Sequence, residues 1–275
     1  HPDIDWIQAD LTRFDDVVRC LKGADVVIQA AATTSGAGDI TRRPYIHVAD
    51  NAVMNAHIFR AAFDHAIPRL VYFSCAIMYS PADRPVREDD FTGADGMHAS
   101  YFGAGWTKVY GEKMCQFYAG LGRTGFTVIR HSNVYGPHDK FDLERSHVLG
   151  ATVTKAMTAP DGKLAMWGTG EETRDLLFVS DLVDFVRRAI NGQDTAFELV
   201  NVGSGSAVSI RALAERIAAA SGRALEIVFE ADKPTIRTRI ELDCTRARQI
   251  FGWTPKVTLE DGIAKTVAWW RENVA

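Results

Sequence analysis

A doubly wound parallel α/β sheet with a smaller C-terminal lobe is the fold this 275-residue sequence predicts, on three observations. Short, continuously apolar runs recur along the chain, as strands buried on both faces require. Segments with helical spacing separate them, which makes successive strands crossover units. The residues just past the runs are small or polar, at the strand ends where a parallel sheet receives its ligand.

In chain order, Ala24–Ala30 (ADVVIQA) is the first strand. Asp50–His65 is helical through the spacing of Ala52, Met54, Ile58, Phe59 and Ala62. Leu70–Ser74 (LVYFS) is the next strand, Trp106–Leu121 a helix stopped by Gly120 and Gly122, and Phe126–Arg130 (FTVIR) the third strand. After Pro137 the pattern changes. Leu143–Met157 reads as a helix, Ala159–Gly162 as a turn and Lys163–Trp167 as a short strand. Ser180–Ile190 is a helix with Ser180 or Asp181 as N-cap, Phe197–Val202 a strand and Gly203–Ser206 a loop. Ser209–Ser221, Ala247–Phe251 and Leu259–Asn273 complete a mostly helical end. Residues 1–133 and 174–203 are expected to form the sheet lobe, and 134–173 with 204–275 the smaller one. No low-complexity linker separates them, so the lobes should pack together.

Composition narrows the function. With 47% hydrophobic and 24% charged residues, the chain is neither disordered nor a coiled coil. Thirty-one basic against 35 acidic residues give a net charge of −4, without the positive footprint that nucleic acid or a membrane surface demands. No apolar run approaches the ~18 residues of a membrane span, and no secretory leader is recognisable. Cys20, Cys75, Cys115 and Cys244 are scattered without a CxxC, which points to reduced thiols and a cytoplasmic protein. The first residue is His1 and not a methionine, so a preceding segment is expected.

The three strand ends are Ala30-Ala31-Ala32-Thr33-Thr34-Ser35-Gly36, Ser74-Cys75-Ala76-Ile77-Met78-Tyr79 and His131-Ser132-Asn133-Val134-Tyr135-Gly136-Pro137. Any one of them is compatible with ordinary strand-to-loop chemistry. Three sharing one crevice indicate a ligand site.

Several ordered segments, spread over nearly the whole chain, resemble the extended short-chain dehydrogenase/reductases that modify nucleotide-sugars. Asp10-Leu11, after Trp6-Ile7-Gln8, resembles the strand-end Asp that contacts the adenine, and Ala30-Ala31-Ala32 the strand end beside the cofactor. Asn51 matches the Asn that starts the next helix, and Arg130–Pro137 (RHSNVYGP) the R-x-x-N-x-Y-G-P segment. Gly168-Thr169-Gly170 with Arg174–Asp181 (RDLLFVSD), Asn201–Gly205 (NVGSG) and Phe251–Pro255 (FGWTP) follow in the family's order. Gly136–Leu149 (GPHDKFDLERSHVL) and Trp167–Gly170 are most similar to the GDP-fucose synthase branch, which epimerises and reduces GDP-4-keto-6-deoxymannose.

The resemblance implies a Rossmann-like sheet, a NAD or NADP cofactor, a nucleotide-sugar substrate and a homodimer through a four-helix interface made by Asp50–His65 and Trp106–Leu121. On the cofactor side it implies Asp10, Leu11, Ala30, Ala31, Ala32, Asn51, Ser74, Lys108 and His131. On the sugar side it implies Asn133, His147, Val148, Trp167 and Arg174. The implied chemistry falls to Tyr101, Lys108, Cys75 and His147, with no metal. His147 matches an acid/base residue; a histidine is suited to exchanging a proton beside a carbonyl, the alternative being a helix-surface side chain. Arg174 suits a diphosphate clamp, the alternative being an ion pair with Asp175 or Glu171. Trp167 either stacks near the base or belongs to the core.

The sequence departs from the family at three points. The Gly-rich turn that cradles the cofactor pyrophosphate is absent, and the strand–helix–strand carrying it, more than ~30 residues, is expected ahead of His1. The family's Y-x-x-x-K keeps Lys108, but position 104 is Ala. Its Ser/Thr is replaced by Cys75 and its epimerising Cys by Ile77. Tyr101 is on nearly the same helical azimuth as Lys108, but ~10 Å away along the axis. Gly103 and Gly105 are weak helix formers. A helix starting at about Gly105 would leave Tyr101 on a loop able to fold over Lys108. Tyr101 is the first choice for the missing base, ahead of Cys75 or a water held by Lys108. The alternative to an NAD(P)-dependent nucleotide-sugar epimerase/reductase is a relative that binds nucleotide-sugar or dinucleotide as a sensor or scaffold. Losing both Tyr and Ser favours the scaffold, while Lys108, His147 and Arg174 favour the enzyme.

Overall fold

The computed structural model describes residues 3–34, 43–93, 97–233 and 239–274; Ser35 and Gly36 of the first strand end lie outside them. The strands are β1 (Val26–Gln29), β2 (Arg69–Phe73), β3 (Gly125–His131), β4 (Asn133–Tyr135), β5 (Lys163–Trp167), β6 (Thr173–Phe178), β7 (Phe197–Val202), β8 (Ala207–Ser209) and β9 (Glu226–Glu230). The α-helices are α1 (Phe14–Leu21), α2 (Ala49–Asp64), α3 (Phe102–Gly120), α4 (Val148–Thr158), α5 (Val179–Gly192), α6 (Ile210–Ser221), α7 (Thr245–Phe251) and α8 (Leu259–Asn273).

Four parallel strands in the order β1-β2-β3-β7 form the main sheet. Alternation along β2 shows that it is wound on both faces. Leu70 and Tyr72 pack with Val17, Ile58, Phe59 and Cys115 of α1, α2 and α3. Val71 points the other way, into Ile129, Val200, Phe185 and Phe251 on β3, β7, α5 and α7. Burying side chains of this size contributes ~1.5–3 kcal/mol each. The strand ends thus come to one edge on a rigid base.

The smaller lobe contains the sheets β4-β6-β8 and β5-β9, covered by α4, α6 and α8. Ser209 Oγ caps α6 by accepting from Ala212 N at 3.2 Å, and Gly222 ends it at φ 66°. Thr258 Oγ1 caps α8 through Asp261 N.

Several expectations need correction. The segment from 174 onward was assigned to the main sheet, but β6 pairs parallel with β4 and antiparallel with β8; only α5 and β7 join the large sheet. The helix expected from Leu143 begins at Val148, because Asp142 accepts from Glu144 N and Arg145 N and holds a turn instead. Neither Ser180 nor Asp181 caps α5, which starts at Val179; Asp181 Oδ2 accepts from Lys256 N and Val257 N. Most consequential is α3. It begins at Phe102, after a 3-10 turn at Ala99–Tyr101, and not near Gly105. The glycines permit close packing: a Cβ at Gly105 would collide with the Met97 sulfur, and one at Gly111 would lie 2.6 Å from the Tyr72 hydroxyl.

Among the described residues no helix is long and apolar enough to cross a membrane. No group of three His, Cys, Asp or Glu there could hold a metal ion. The four cysteines are free thiols.

Candidate active site

The crevice at the carboxyl edge of the main sheet is built from the strand ends of β1, β2 and β3, the start of α3, and β6 with the start of α4. Ala30, Ala31 and Ala32 are exposed there, presenting backbone and methyl groups only. Two carboxamides fix their course. Gln29 Nε2 donates to Ala31 O at 3.0 Å, and Asn51 receives Thr33 N at 2.8 Å while donating to Thr33 O and His47 O. Asn51, expected to touch the cofactor, is buried and holds the backbone beside it instead. Asp10 is exposed at the entry to α1, where Thr12 N and Oγ1 donate to its carboxylate. Hydrogen bonds to Thr12 hold its carboxyl below the usual value. Leu11 packs into the core beside it.

Past β2, Ser74 is wholly buried and donates to Glu112 Oε1 at 2.6 Å. Its hydroxyl is committed to that carboxylate. Cys75 follows; burial pushes its thiol up, and the Lys108 charge pulls it partly back. Lys108 reaches from α3 to donate to the Phe73 carbonyl at 2.7 Å, with its ammonium 5.2 Å from the Tyr72 ring centroid. Burial lowers its pKa, while Cys75 and Glu112 work against the shift.

His131, at the end of β3, lies 2.7 Å from the Ser132 carbonyl through Nδ1. A carbonyl only accepts, so Nδ1 carries the hydrogen and Nε2 is the ring's acceptor. Burial lowers its pKa to about 4, with Lys108 and His147 adding to the depression. The imidazole is neutral at pH 7.

Tyr101 has the least expected setting. It packs against the cluster that holds Met78, Met97 and Val109, with its ring centroid 5.9 Å from that of His98, and the charges that act on its phenol are those of Arg174 and Cys75. Burial raises its pKa and Arg174 partly offsets the rise. Tyr101 ends the 3-10 turn and is the N-cap residue of α3, so it does not sit on a loop running to Gly105 as expected. A half-buried phenol of raised pKa is a proton donor at neutral pH.

Arg174 Nη1 donates to the Thr173 carbonyl at 2.7 Å; burial lowers its pKa, opposed by Tyr101 and Glu172. Asp175, weighed as its ion-pair partner, accepts instead from Ser204 N, Gly205 N and Leu242 N. Asn133 Nδ2 donates to the Asp175 carbonyl. His147 is the N-cap residue of α4, directly before Val148. Its surface is open to solvent, yet surrounding protein holds its pKa down, with the Asp139 carboxylate pulling it up. Trp167 is 45% exposed with the Lys155 ammonium 5.7 Å from its ring, so it is not a core residue.

The largest feature missed at the sequence level lies just beneath. Glu112 and Arg130 form a buried ion pair at 2.7 Å. Arg130 also donates to the Tyr79 hydroxyl, which donates to Asn201 Oδ1 at 2.7 Å. Asn201 N in turn donates to Glu88 Oε1. The available signal was Glu112 four residues after Lys108, one turn along the same helix face.

A doubly wound parallel sheet with a His at one strand end and a Lys reaching from a helix to the carbonyl at another is the architecture of a nicotinamide-dependent oxidoreductase or epimerase. The chain belongs to the NAD dependent epimerase/dehydratase family of enzymes, which matches residues 1–203. It is 33% identical to the GDP-L-fucose synthase of Sinorhizobium fredii over 273 residues, spanning 97% of this chain and 86% of that protein. A GDP-6-OMe-4-keto-L-xylo-heptose reductase of Campylobacter jejuni superposes with a TM-score of 0.86 at 22% identity, over 96% of this chain and 88% of that one. A GDP-D-glycero-L-gluco-heptose synthase from the same organism, solved in the presence of NADPH, superposes at 0.80 with 22% identity and the same coverage.

Proposed function

We propose that this protein is an NAD(P)-dependent epimerase/reductase of a GDP-linked 4-keto sugar. One observation carries the reading: Lys108 of α3 is anchored on the Phe73 carbonyl at the end of β2, where Cys75 follows, and the ends of the parallel strands β1 and β3, with Ala30–Ala32 and His131, flank that end. The GDP-sugar names of the relatives supply the substrate class.

The residues present fit a nicotinamide dinucleotide. The bare Ala30–Ala32 edge lets a flat group reach the backbone, and Lys108 and His131 offer a cation and a ring acceptor beside it. The cofactor, when bound, supplies or removes a hydride. Lys108 then anchors polar groups of the cofactor, Arg174 grips the diphosphate, and His147 exchanges a proton on the carbon next to the ketone. Tyr101 donates the proton that the new alkoxide needs. That role suits its raised pKa better than proton removal from an alcohol, the direction favoured from sequence alone. In this reading residues 1–133 with most of 174–203 hold the cofactor, and the remainder holds the nucleotide-sugar.

Incubating the full-length protein with GDP-4-keto-6-deoxymannose and NADPH or NADH should consume reduced cofactor at 340 nm and yield new sugar signals by NMR. Binding of GDP and cofactor with no product from any NDP-4-keto sugar would select the scaffold reading, which Ala104 and Cys75 favour. Arg174→Ala is expected to weaken GDP affinity by ~1.5–3 kcal/mol in calorimetric titration, the scale of a lost charged hydrogen bond, while melting like the wild type. Unchanged affinity would place Arg174 outside the diphosphate site.

We also propose a homodimer through α2 and α3. Phe102, Trp106, Tyr110 and Phe117 form an exposed apolar stripe at helical spacing on α3, continued by Leu121 at its C-cap. Phe117→Asp should convert a dimeric mass to a monomeric one in light scattering. A wild-type monomer at assay concentration would refute the assembly.

A further inference from the structure

Asp139 lies in the turn between β4 and α4, and its Oδ2 is a buried acceptor with no hydrogen-bond partner among the described residues. Its other oxygen, Oδ1, accepts from Lys140 N at 2.7 Å. Oδ2 rests against the first turn of α4: a Cβ built at Gly150 would lie 3.3 Å from it and 2.7 Å from the Lys140 carbonyl. Glycine at 150 therefore lets the Asp139–Lys140 turn close onto the helix whose N-cap is His147. An orphaned buried carboxylate oxygen is costly, and a donor arriving during function is one of the few reasons to keep it.

We infer that Asp139 is the positioning residue for His147, its Oδ2 receiving a ring N–H when the imidazole turns inward carrying the substrate's proton. The inference rests on the epimerase/reductase reading above. The step balances without further reactants. The imidazole removes the proton from the carbon beside the ketone, and the electron pair of that C–H bond passes onto the keto oxygen as an enolate. The resulting imidazolium has an N–H on each nitrogen. One returns its proton to the carbon from whichever face the sugar then presents, and the other is held by Asp139.

The charges around the ring agree in direction. Burial raises the Asp139 carboxyl, and His147 is among the groups opposing that rise. The groups acting on the imidazole are Asp139, which favours its protonation, and Lys140 of the same turn, which disfavours it. His131, from β3, faces it as a ring held neutral. Lys140 is drawn toward the other lobe, where Nζ donates to the Thr34 carbonyl at 3.2 Å. Asp139 is thus the anionic partner among the groups that act on His147.

The test follows the His147 ring by NMR titration in the full-length protein without ligand. Asp139→Asn should lower its titration midpoint by ~1 unit, the smaller end of what removing a nearby opposite charge does. Asp139→Ala should move it the same way, and Asp139→Glu should recover part of the shift. An unchanged midpoint in both neutral variants, each folded by its melting curve, overturns the pairing. The second readout is deuterium wash-in from solvent into the GDP-4-keto sugar, followed against pH. Asp139→Asn should slow it at least ~10-fold and move its acidic limb to lower pH. A moved midpoint with no wash-in by the wild type keeps the Asp139–His147 pair and removes the epimerase reading. Wash-in that keeps its wild-type rate and profile in Asp139→Asn overturns the positioning role.

Discussion

Tyr101→Phe is expected to lower kcat for keto-sugar reduction at least ~100-fold with little change in KM, because a positioned general acid is worth ~100- to 10,000-fold. Hydride addition to the ketone creates an alkoxide, and the crevice must supply its proton. Ala104 cannot. Lys108 is anchored on the Phe73 carbonyl, and burial pushes the Cys75 thiol up, away from the thiolate that a reactive cysteine needs. The Arg174 charge favours the phenolate left on Tyr101 after donation. The loss should therefore appear in the chemical step. Ala104→Tyr is not expected to raise activity, since a second phenol would enter a crevice that Tyr101 already fills. Single-turnover rates at saturating keto sugar measure both. Near-normal turnover of Tyr101→Phe, with activity abolished in His147→Asn, would assign the proton transfers to His147.

Whether a residue's role was legible depended on the range of the interaction that sets it. The strands Lys163–Trp167 and Phe197–Val202 and the helix Leu259–Asn273 match the sequence reading residue for residue, because local apolar runs and caps specify them. β4 and β8, three residues each, have no periodicity to detect and exist through their pairing with β6. The start of α3 was misjudged because Gly103 and Gly105 read as helix breakers. Their lack of a side chain answers instead to Val48 and Met97 pressing on the helix from outside. That tertiary contact accompanies a helix that starts at Phe102, directly after Tyr101. The motifs named the candidate residues, but the hydrogen-bond partners of those side chains were not legible in them. Asn51 and Ser74 are buried and bond to Thr33 and Glu112, partners that no motif announces.

Glu112→Ala should destabilise the protein by ~3–5 kcal/mol, the cost of breaking a buried ion pair on one side. The Glu112 and Arg130 side chains are 3% and 5% exposed, so water cannot replace the lost carboxylate. Arg130 would keep the Tyr79 hydroxyl and the Glu88 carbonyl, but both of its contacts to an anion would be gone. Ser74 Oγ would lose its acceptor at the same time. Denaturant unfolding at pH 7 measures the loss, and an intact slope shows that the same transition is being compared. Glu112→Gln should cost less, since an amide oxygen still accepts from Ser74. The double variant Glu112→Leu with Arg130→Met should be more stable than Glu112→Ala, because it removes both charges and refills the space. The network matters to function through its position. It joins β2, β3, α3 and β7 immediately beneath Cys75 and Lys108, so the double variant, though folded, should bind GDP normally through Arg174 yet reduce keto sugar more slowly. A loss below ~1 kcal/mol in Glu112→Ala would mean that the pair is not desolvated in solution, and the rigid base ascribed to the crevice would have to be sought in the apolar packing of Tyr72 and Phe59 instead.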